Sequence, residues 1–145
     1  MYKITNYKIG FEKQLELIML EKPWTHFRRY NQAGFKAISS SKNFDSKINF
    51  IAFYQEGPIG YLLSSIETLN DSQKAKMWLP IVRYGHEEAI SLLINRALAT
   101  YKEMNISLVE TNQGSEWDHL HGIPEQFGFV RTSDFVVLFV KDYQS

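Results

Sequence analysis

The chain has 145 residues, of which 44% are hydrophobic and 22% charged, and these proportions exclude disordered and fibrous classes. Its 16 Lys and Arg residues balance its 16 Asp and Glu residues, so we expect no nucleic-acid or membrane partner. The absence of cysteine excludes thiolate metal sites and cysteine nucleophiles, and favours a cytoplasmic location. The length predicts a single domain over residues 1–145.

The first half of the chain predicts a strand, two helices and a β-hairpin. In chain order these are a strand over 2–9, a helix over 12–21, a short helix from Pro23 to Gly34, and strands over 48–55 and 59–66. The two last strands are β-branched and aromatic runs joined by the turn Glu56-Gly57-Pro58, which is typical of a hairpin. Residues 39–43 are predicted to form a loop.

The second half predicts a strand–helix–strand unit followed by a final hairpin. In chain order we expect a loop over 70–74, a strand over 77–82, a long helix between Gly85 and Asn105 and a strand over 106–109. A loop over 111–122, a short helix over 123–127 and a hairpin over 129–140 that turns at Ser133–Asp134 follow. Pro80 cannot donate a ladder hydrogen bond, so it indicates an edge, a bulge or a strand that leaves its neighbour. The helix shows apolar residues at helical spacing from Ile90 to Tyr101.

This order of elements predicts the fold class. A strand–helix–strand alternation implies a parallel pair with a right-handed crossover, and the hairpins around it make the sheet mixed. We therefore expect an α/β (α+β) domain in which about four helices flank a mixed central sheet of about seven strands.

Three segments give the chain a family resemblance. They are the hairpin IAFYQEGPIGYLL, the segment WLPIVRYGHEEAISLLINRAL and the segment IPEQFGFV. Together they resemble the GNAT superfamily of acyl-CoA-dependent N-acetyltransferases, over roughly residues 48–140. The resemblance implies an enzyme that moves an acetyl group from acetyl-CoA to a primary amine on a small molecule or peptide. The alternative is a degenerate, non-catalytic GNAT-like domain that acts as a structural or partner-binding module, as a homodimer or as half of a tandem.

The resemblance also implies a cofactor site around the start of the long helix. Its residues would be Ile81 and Val82 for the pantetheine arm, and Tyr84, Gly85, His86, Glu87, Glu88 and Ala89 for the pyrophosphate. The family pattern is a basic residue or Gln, two residues, Gly, one residue, then Gly or Ala. With the register fixed on the helix, Tyr84 takes the basic position, Glu87 that of the central glycine and Ala89 that of the last small residue. A register fixed on Arg83 keeps the basic residue but loses every glycine position.

Glu87 and Glu88 have two interpretations. As charges at a helix N-terminus they stabilise the helix by about 0.3–1 kcal/mol. Beside a diphosphate, a carboxylate about 5 Å from one phosphate charge costs about 3 kcal/mol at an effective dielectric constant near 20. These two residues therefore weaken the expectation that CoA binds.

The catalytic candidates come from the same resemblance. The general acid of the family lies four residues before the glycine of the Gly-Phe pair, which is Pro124 here and has no proton to donate. His119 and His121 are nearby substitutes, although solvated loop histidines are the alternative interpretation. Glu110, after a short buried strand, is the candidate base, and Glu67 is the second choice. No metal site is predicted, because no third histidine accompanies His119 and His121.

Overall fold

A computed structural model describes residues 1–22, 31–113, 122–132 and 137–142. Within these residues the helices are α1 (Glu12–Leu20), α2 (Gln32–Ser39), α3 (Glu88–Glu103) and α4 (Ile123–Gln126), with a 3₁₀ turn at Ser46–Ile48. The strands are β1 (Tyr2–Asn6), β2 (Phe50–Tyr54), β3 (Gly57–Leu62), β4 (Ser64–Leu69), β5 (Ser72–Met77), β6 (Ile81–Val82), β7 (Leu108–Gln113), β8 (Val130–Arg131) and β9 (Val137–Asp142). No helix in these ranges is long and apolar enough to cross a bilayer.

The strands form two sheets that follow one another along the chain. The first has the order β1-β2-β3-β6 and is antiparallel throughout. The second has the order β4-β5-β7-β9-β8 and contains one parallel pair, β5 with β7. The predicted mixed α+β class is therefore confirmed. The structure describes nine strands, and about seven were predicted. The two numbers agree when β3 with β4, and β5 with β6, are each counted as one interrupted strand.

Helices cover the first sheet on both faces, since β3 is buried along its length and contacts both α1 and α3. The apolar stripe predicted for α3 is buried, and it includes Leu93, Ala97 and Tyr101, each with no exposed surface. From α2, Phe35 packs edge-on against Tyr61, with ring centroids 5.4 Å apart. This core fixes the start of α3 relative to β6.

The predicted loop over 70–74 and strand over 77–82 were wrong in their boundaries. β4 and β5 form a tight hairpin whose turn residues, Asn70 and Asp71, have φ angles of 48° and 68°. Asn and Asp tolerate this left-handed conformation, which a two-residue hairpin requires. The strand therefore begins at Ser72, stops after Met77 and resumes only after Pro80.

The boundaries of three further segments also differ. α2 begins after Asn31, whose side chain accepts a hydrogen bond from the Gly34 N–H at 2.7 Å, so Gly34 lies in the first turn and does not end the helix. α2 also includes Ser39, and β7 includes residues 111–113, which were predicted to be loop. The predicted start of the second helix at Pro23 and the turn Ser133–Asp134 lie outside the described residues.

Candidate functional site

The two sheets separate beside Pro80, and this opening is the centre of the candidate site. The parallel register of β5 with β7 ends at the pair Lys76–Glu110, whereas β6 pairs with β3. The Arg83 N–H donates to the Ile59 carbonyl of β3 at 2.8 Å. Because backbone groups alternate sides along a strand, the N–H and C=O of Val82 face away from β3, into the opening toward β7.

A buried hydroxyl lies on the other side of this opening. Thr111 follows Glu110 in β7 and is 1% exposed. Its Oγ1 has no hydrogen-bond partner among the described residues. A buried hydroxyl without a partner costs free energy unless a ligand or a water satisfies it. Thr111 is therefore a buried polar residue one position beyond the last β5–β7 pair, and the sequence alone did not single it out.

The loop between β6 and α3 turns sharply at Gly85. The φ angle of this residue is 87°, and a Cβ placed on it would meet no atom within 4 Å, so the backbone here is open to solvent. The N–H of His86 donates to the Arg83 carbonyl at 3.1 Å, and that of Ala89 to the His86 carbonyl at 2.9 Å. These bonds shape a tight turn that leads directly into α3.

Carboxylates of the chain itself occupy three further donors of this loop. The Tyr84 N–H donates to Glu21 Oε1 at 3.3 Å, and Arg83 Nε donates to Glu21 Oε2 at 2.8 Å. The Gly85 N–H donates to Glu87 Oε1 at 3.2 Å. Within the described part of the loop, no hydrogen bond uses the N–H groups of Glu87 and Glu88. The loop therefore already binds carboxylate oxygens, which come from Glu21 and Glu87.

Two cation and aromatic contacts border the loop. Lys22, 7% exposed, places Nζ 3.5 Å from the centroid of the Tyr84 ring. Burial lowers the pKa of Lys22, and the nearby charges of Glu87 and Glu21 oppose that shift. On the other side, Tyr2 Oη lies 2.9 Å from His86 Nδ1. His86 is therefore tied to β1, while Tyr84 remains 64% exposed.

Glu110 belongs to a four-residue cluster of charges on one face of the second sheet. Lys74 Nζ lies 3.2 Å from Glu110 Oε2 and 3.7 Å from Glu67 Oε2. Lys76 Nζ lies 3.1 Å from Glu67 Oε2. A hydrogen bond from Lys76, together with the charge of Lys74, lowers the pKa of Glu67. Glu110 is 19% exposed at its side chain and lies where β7 leaves β5.

An apolar pocket of about 240 Å³ lies under the segment that follows α2. It is bordered by the junction of β3 with β4 and by Trp78, the first residue after β5. Its lining comprises Ile38, Ser41, Asn43, Phe44, Asn49, Leu63, Ser64, Ser65 and Trp78. Asn49 is satisfied internally, since its side chain donates to the Asp45 carbonyl at 2.7 Å and accepts from the Ser64 N–H at 2.8 Å. The volume suits a side chain or a small metabolite.

The predicted cofactor residues lie together at the end of β6 and the start of α3. Of the predicted catalytic residues Glu110, His119 and His121, the structure describes only Glu110. Ile81 and Val82 are buried in β6. Glu88 is the first residue of α3, and Ala89, the second, is fully buried. His119 and His121 lie outside the described residues. Pro124 is buried in α4, where its carbonyl accepts hydrogen bonds from the N–H groups of Phe127 and Phe129. No group of three metal-ligating side chains occurs in the described ranges.

Sequence reasoning missed the contribution of α1 to this loop. Glu21 and Lys22 lie more than 60 positions before Arg83 and Tyr84, and no motif connects them. Arg83 carried a partial signal, because one of the two registers placed it at the basic position. The helix-phased register, by contrast, put the exposed Tyr84 there.

The structure is similar to solved proteins over nearly their whole length. Ard1 from Thermoplasma volcanium superposes with a TM-score of 0.81 at 14% identity, covering 99% of both chains. The PaiA N-acetyltransferase from Thermoplasma acidophilum, solved in complex with coenzyme A, gives 0.73 at 16% identity and 99% coverage of both. Arabidopsis thaliana Naa50, solved in complex with the bisubstrate analogue CoA-Ac-MVNAL, gives 0.69 at 13% identity, covering 98% of this chain and 99% of that one. No protein-family model and no curated protein matches the sequence.

Proposed function

The chain has the GNAT acyl-CoA N-acyltransferase fold, and we propose that it is an N-acetyltransferase that moves an acetyl group from acetyl-CoA to a primary amine. The observation that carries this proposal is the opening between β6 and β7, followed directly by the Gly85 loop and the N-terminus of α3. Such an opening exposes main-chain donors and acceptors to an extended ligand, and the helix N-terminus favours negative charge.

The residues around the opening fit a pantetheine arm. The N–H and C=O of Val82 can pair with its amides as a neighbouring strand would, and the buried Thr111 hydroxyl gains a partner when a polar group enters beside it. The open backbone at Gly85 leaves room for a diphosphate. When bound, acetyl-CoA supplies the activated acyl group, and the amine nitrogen displaces the CoA sulfur from the acetyl carbonyl carbon.

Glu110 is the proposed proton acceptor for the amine. A primary ammonium must lose a proton before it attacks a carbonyl carbon, and a carboxylate close to the reacting atoms can accept it. Glu110 lies at the end of the parallel register, and its contact with Lys74 uses Oε2. No hydrogen bond or ion pair among the described residues uses Oε1, which we assign to the acceptor. Pro124 has no proton, so the departing sulfur takes its proton from another group, for which His119 and His121 remain the candidates.

A peptide N-terminus or a small-molecule amine is the proposed acceptor. Two structural neighbours were solved with peptide ligands, namely Naa50 with its bisubstrate analogue and the NatC complex bound to Gag peptide and CoA. In this chain the 240 Å³ pocket beside Trp78 can hold an apolar side chain of such an acceptor. The composition, which lacks cysteine, agrees with a cytoplasmic location.

A second candidate function is a non-catalytic domain with a structural or partner-binding role. It is favoured by the carboxylates that occupy the Tyr84 and Gly85 donors, and by Pro124 at the position of the general acid. Binding of CoA without acetyl transfer to a panel of primary amines and peptides would support this second function.

The decisive experiment is a titration with acetyl-CoA followed by calorimetry and thermal unfolding. A ligand at 1,000 times its Kd stabilises the folded state by about 4 kcal/mol, so we expect a clear rise in the Tm. Titration with acetate serves as the control for a non-specific anion effect. An unchanged Tm and no binding heat at millimolar acetyl-CoA would refute the enzyme proposal.

A further inference from the structure

Glu21 lies where its charge does not benefit its own helix. It directly follows α1, whose last turn contains no basic residue. A carboxylate at a helix C-terminus faces the negative end of the helix dipole, which is unfavourable. The position of Glu21 is therefore explained by what its side chain contacts, which is the loop between β6 and α3.

Both oxygens of the Glu21 carboxylate are used by that loop. Oε2 accepts from Arg83 Nε at 2.8 Å and Oε1 from the Tyr84 N–H at 3.3 Å. This is the recognition that a phosphate oxygen would receive from a guanidinium and a main-chain donor. The side chain is 25% exposed, so water only partly screens the contact.

The next residue reinforces the arrangement. Lys22 packs its ammonium on the Tyr84 ring, within the electrostatic influence of both Glu21 and Glu87. Two cations, Lys22 and Arg83, thus face two carboxylates around one loop. These charges resemble an anion-binding site in which the bound anions are carboxylates of the chain itself.

We propose that Glu21 is an internal competitor for the diphosphate of CoA and sets the affinity of this chain for the nucleotide. The inference rests on the proposed function, since it concerns the same loop. A diphosphate reaches Arg83 and the Tyr84 N–H only when the Glu21 carboxylate leaves them. Binding is therefore linked to release of the end of α1 from the loop. Glu87, by contrast, also stabilises the start of α3, so its charge has a role that is independent of any ligand.

The test compares Glu21→Gln with the wild-type chain in calorimetric titrations with CoA and, separately, with inorganic pyrophosphate. Glu16→Gln is the matched control, because it removes one negative charge from α1, the helix that Glu21 follows, at a residue that has no described hydrogen bond to the loop. We expect Glu21→Gln to bind both ligands about tenfold more tightly, which corresponds to about 1.4 kcal/mol, and Glu16→Gln to bind like the wild type. Circular dichroism and the Tm verify that each variant is folded.

The outcomes separate this inference from the proposed function. If the wild type binds CoA and Glu21→Gln binds it equally, the competitor role is refuted while the proposed function stands. If pyrophosphate binds more tightly to Glu21→Gln but no variant binds CoA, competition of Glu21 with a diphosphate stands, whereas its role in setting the CoA affinity and the proposed function both fail. An equal gain in Glu16→Gln would indicate a general charge effect and overturn the inference. Failure of every variant to bind either ligand would overturn both.

Discussion

At the scale of single residues, the two carboxylates that share Lys74 have different positions relative to the opening. Glu110 lies in β7 at the last parallel pair, whereas Glu67 lies on β4, one strand beyond β5. Both were predicted from their places at strand ends. Their common lysine makes them a natural pair for comparison, because loss of either charge perturbs the same cation.

We expect Glu110→Gln to lower kcat of acetyl transfer by about 100-fold or more, because a general base contributes about 10²–10⁴-fold. Acetyl-CoA affinity should change little, since the described ion pair of Glu110 is with Lys74 of β5 and not with the loop between β6 and α3. The measurement is a rate assay with the best acceptor from an amine and peptide panel, together with an acetyl-CoA titration. Glu67→Gln serves as the comparison, and a larger loss in that variant would transfer the role of base to Glu67.

Glu67 also predicts a pH dependence of stability. Its pKa is held below the usual carboxyl value of 4.5, first by the hydrogen bond from Lys76. A carboxyl whose folded pKa is lowered stabilises the fold above its unfolded pKa, and this contribution is lost as the pH falls through the folded pKa. Glu67→Gln should therefore unfold at a lower urea concentration than the wild type at pH 7, and the difference should shrink in acid, as the pH falls through the folded pKa of Glu67.

The control for this comparison is Glu56→Gln, which removes an exposed charge in the turn between β2 and β3. Its urea midpoint should follow the wild type at pH 7 and in acid, since exposed charges contribute little. A constant difference between Glu67→Gln and the wild type across the pH range would show that the ion pairs with Lys74 and Lys76 are not its cause.

At the scale of elements, the pairing of β3 with β6 is what holds one side of the opening. The two strands approach closely at Gly60, where an added Cβ would lie 2.6 Å from Val82 Cγ1 and 3.0 Å from the Ile81 carbonyl oxygen. Glycine is thus required at this position by the proximity of a backbone rather than by a turn. The same contact fixes Val82, whose main-chain groups face the opening.

Gly60→Ala should destabilise the protein by about 1–3 kcal/mol, because the methyl group must displace β6 or Val82. Gly57→Ala is the matched control in the same strand, since a Cβ there meets nothing within 4 Å and its φ angle is not left-handed. Urea unfolding of both variants measures the difference. Equal midpoints for the two variants would show that β6 adapts freely, and that it does not rigidly define the opening.

At the scale of the whole molecule, α1, β6 and α3 meet at one point because the core places them there. α1 and α3 both pack against β3, and β6 pairs with the same strand. The end of α1 is therefore brought beside the loop that begins α3, which explains how Glu21 reaches Arg83 across 62 positions of sequence. The single domain over 1–145 and the homodimer both remain predictions.

The sequence by itself determined the elements whose signal is local. The apolar spacing of α3, the hairpin of β2 and β3 and the crossover to β7 follow from periodicities of 3.6 and 2 residues and from the chirality of the chain. Pro80 predicted the interruption between β5 and β6, since a residue without an N–H cannot donate a hydrogen bond between strands. The candidate cofactor segment from Ile81 to Ala89 was predicted instead from the resemblance to the GNAT superfamily, and it remains a prediction.

Only the tertiary structure decided which groups face that segment. The pairs Glu21 with Arg83, Tyr2 with His86 and Glu110 with Lys74 join residues from separate elements, and their meeting depends on how helices and strands pack. Periodicity assigns a residue to a face but not to a partner across the core. For the same reason the charge of Glu87 could be anticipated from its place at a helix start, whereas the occupation of the loop by Glu21 could not.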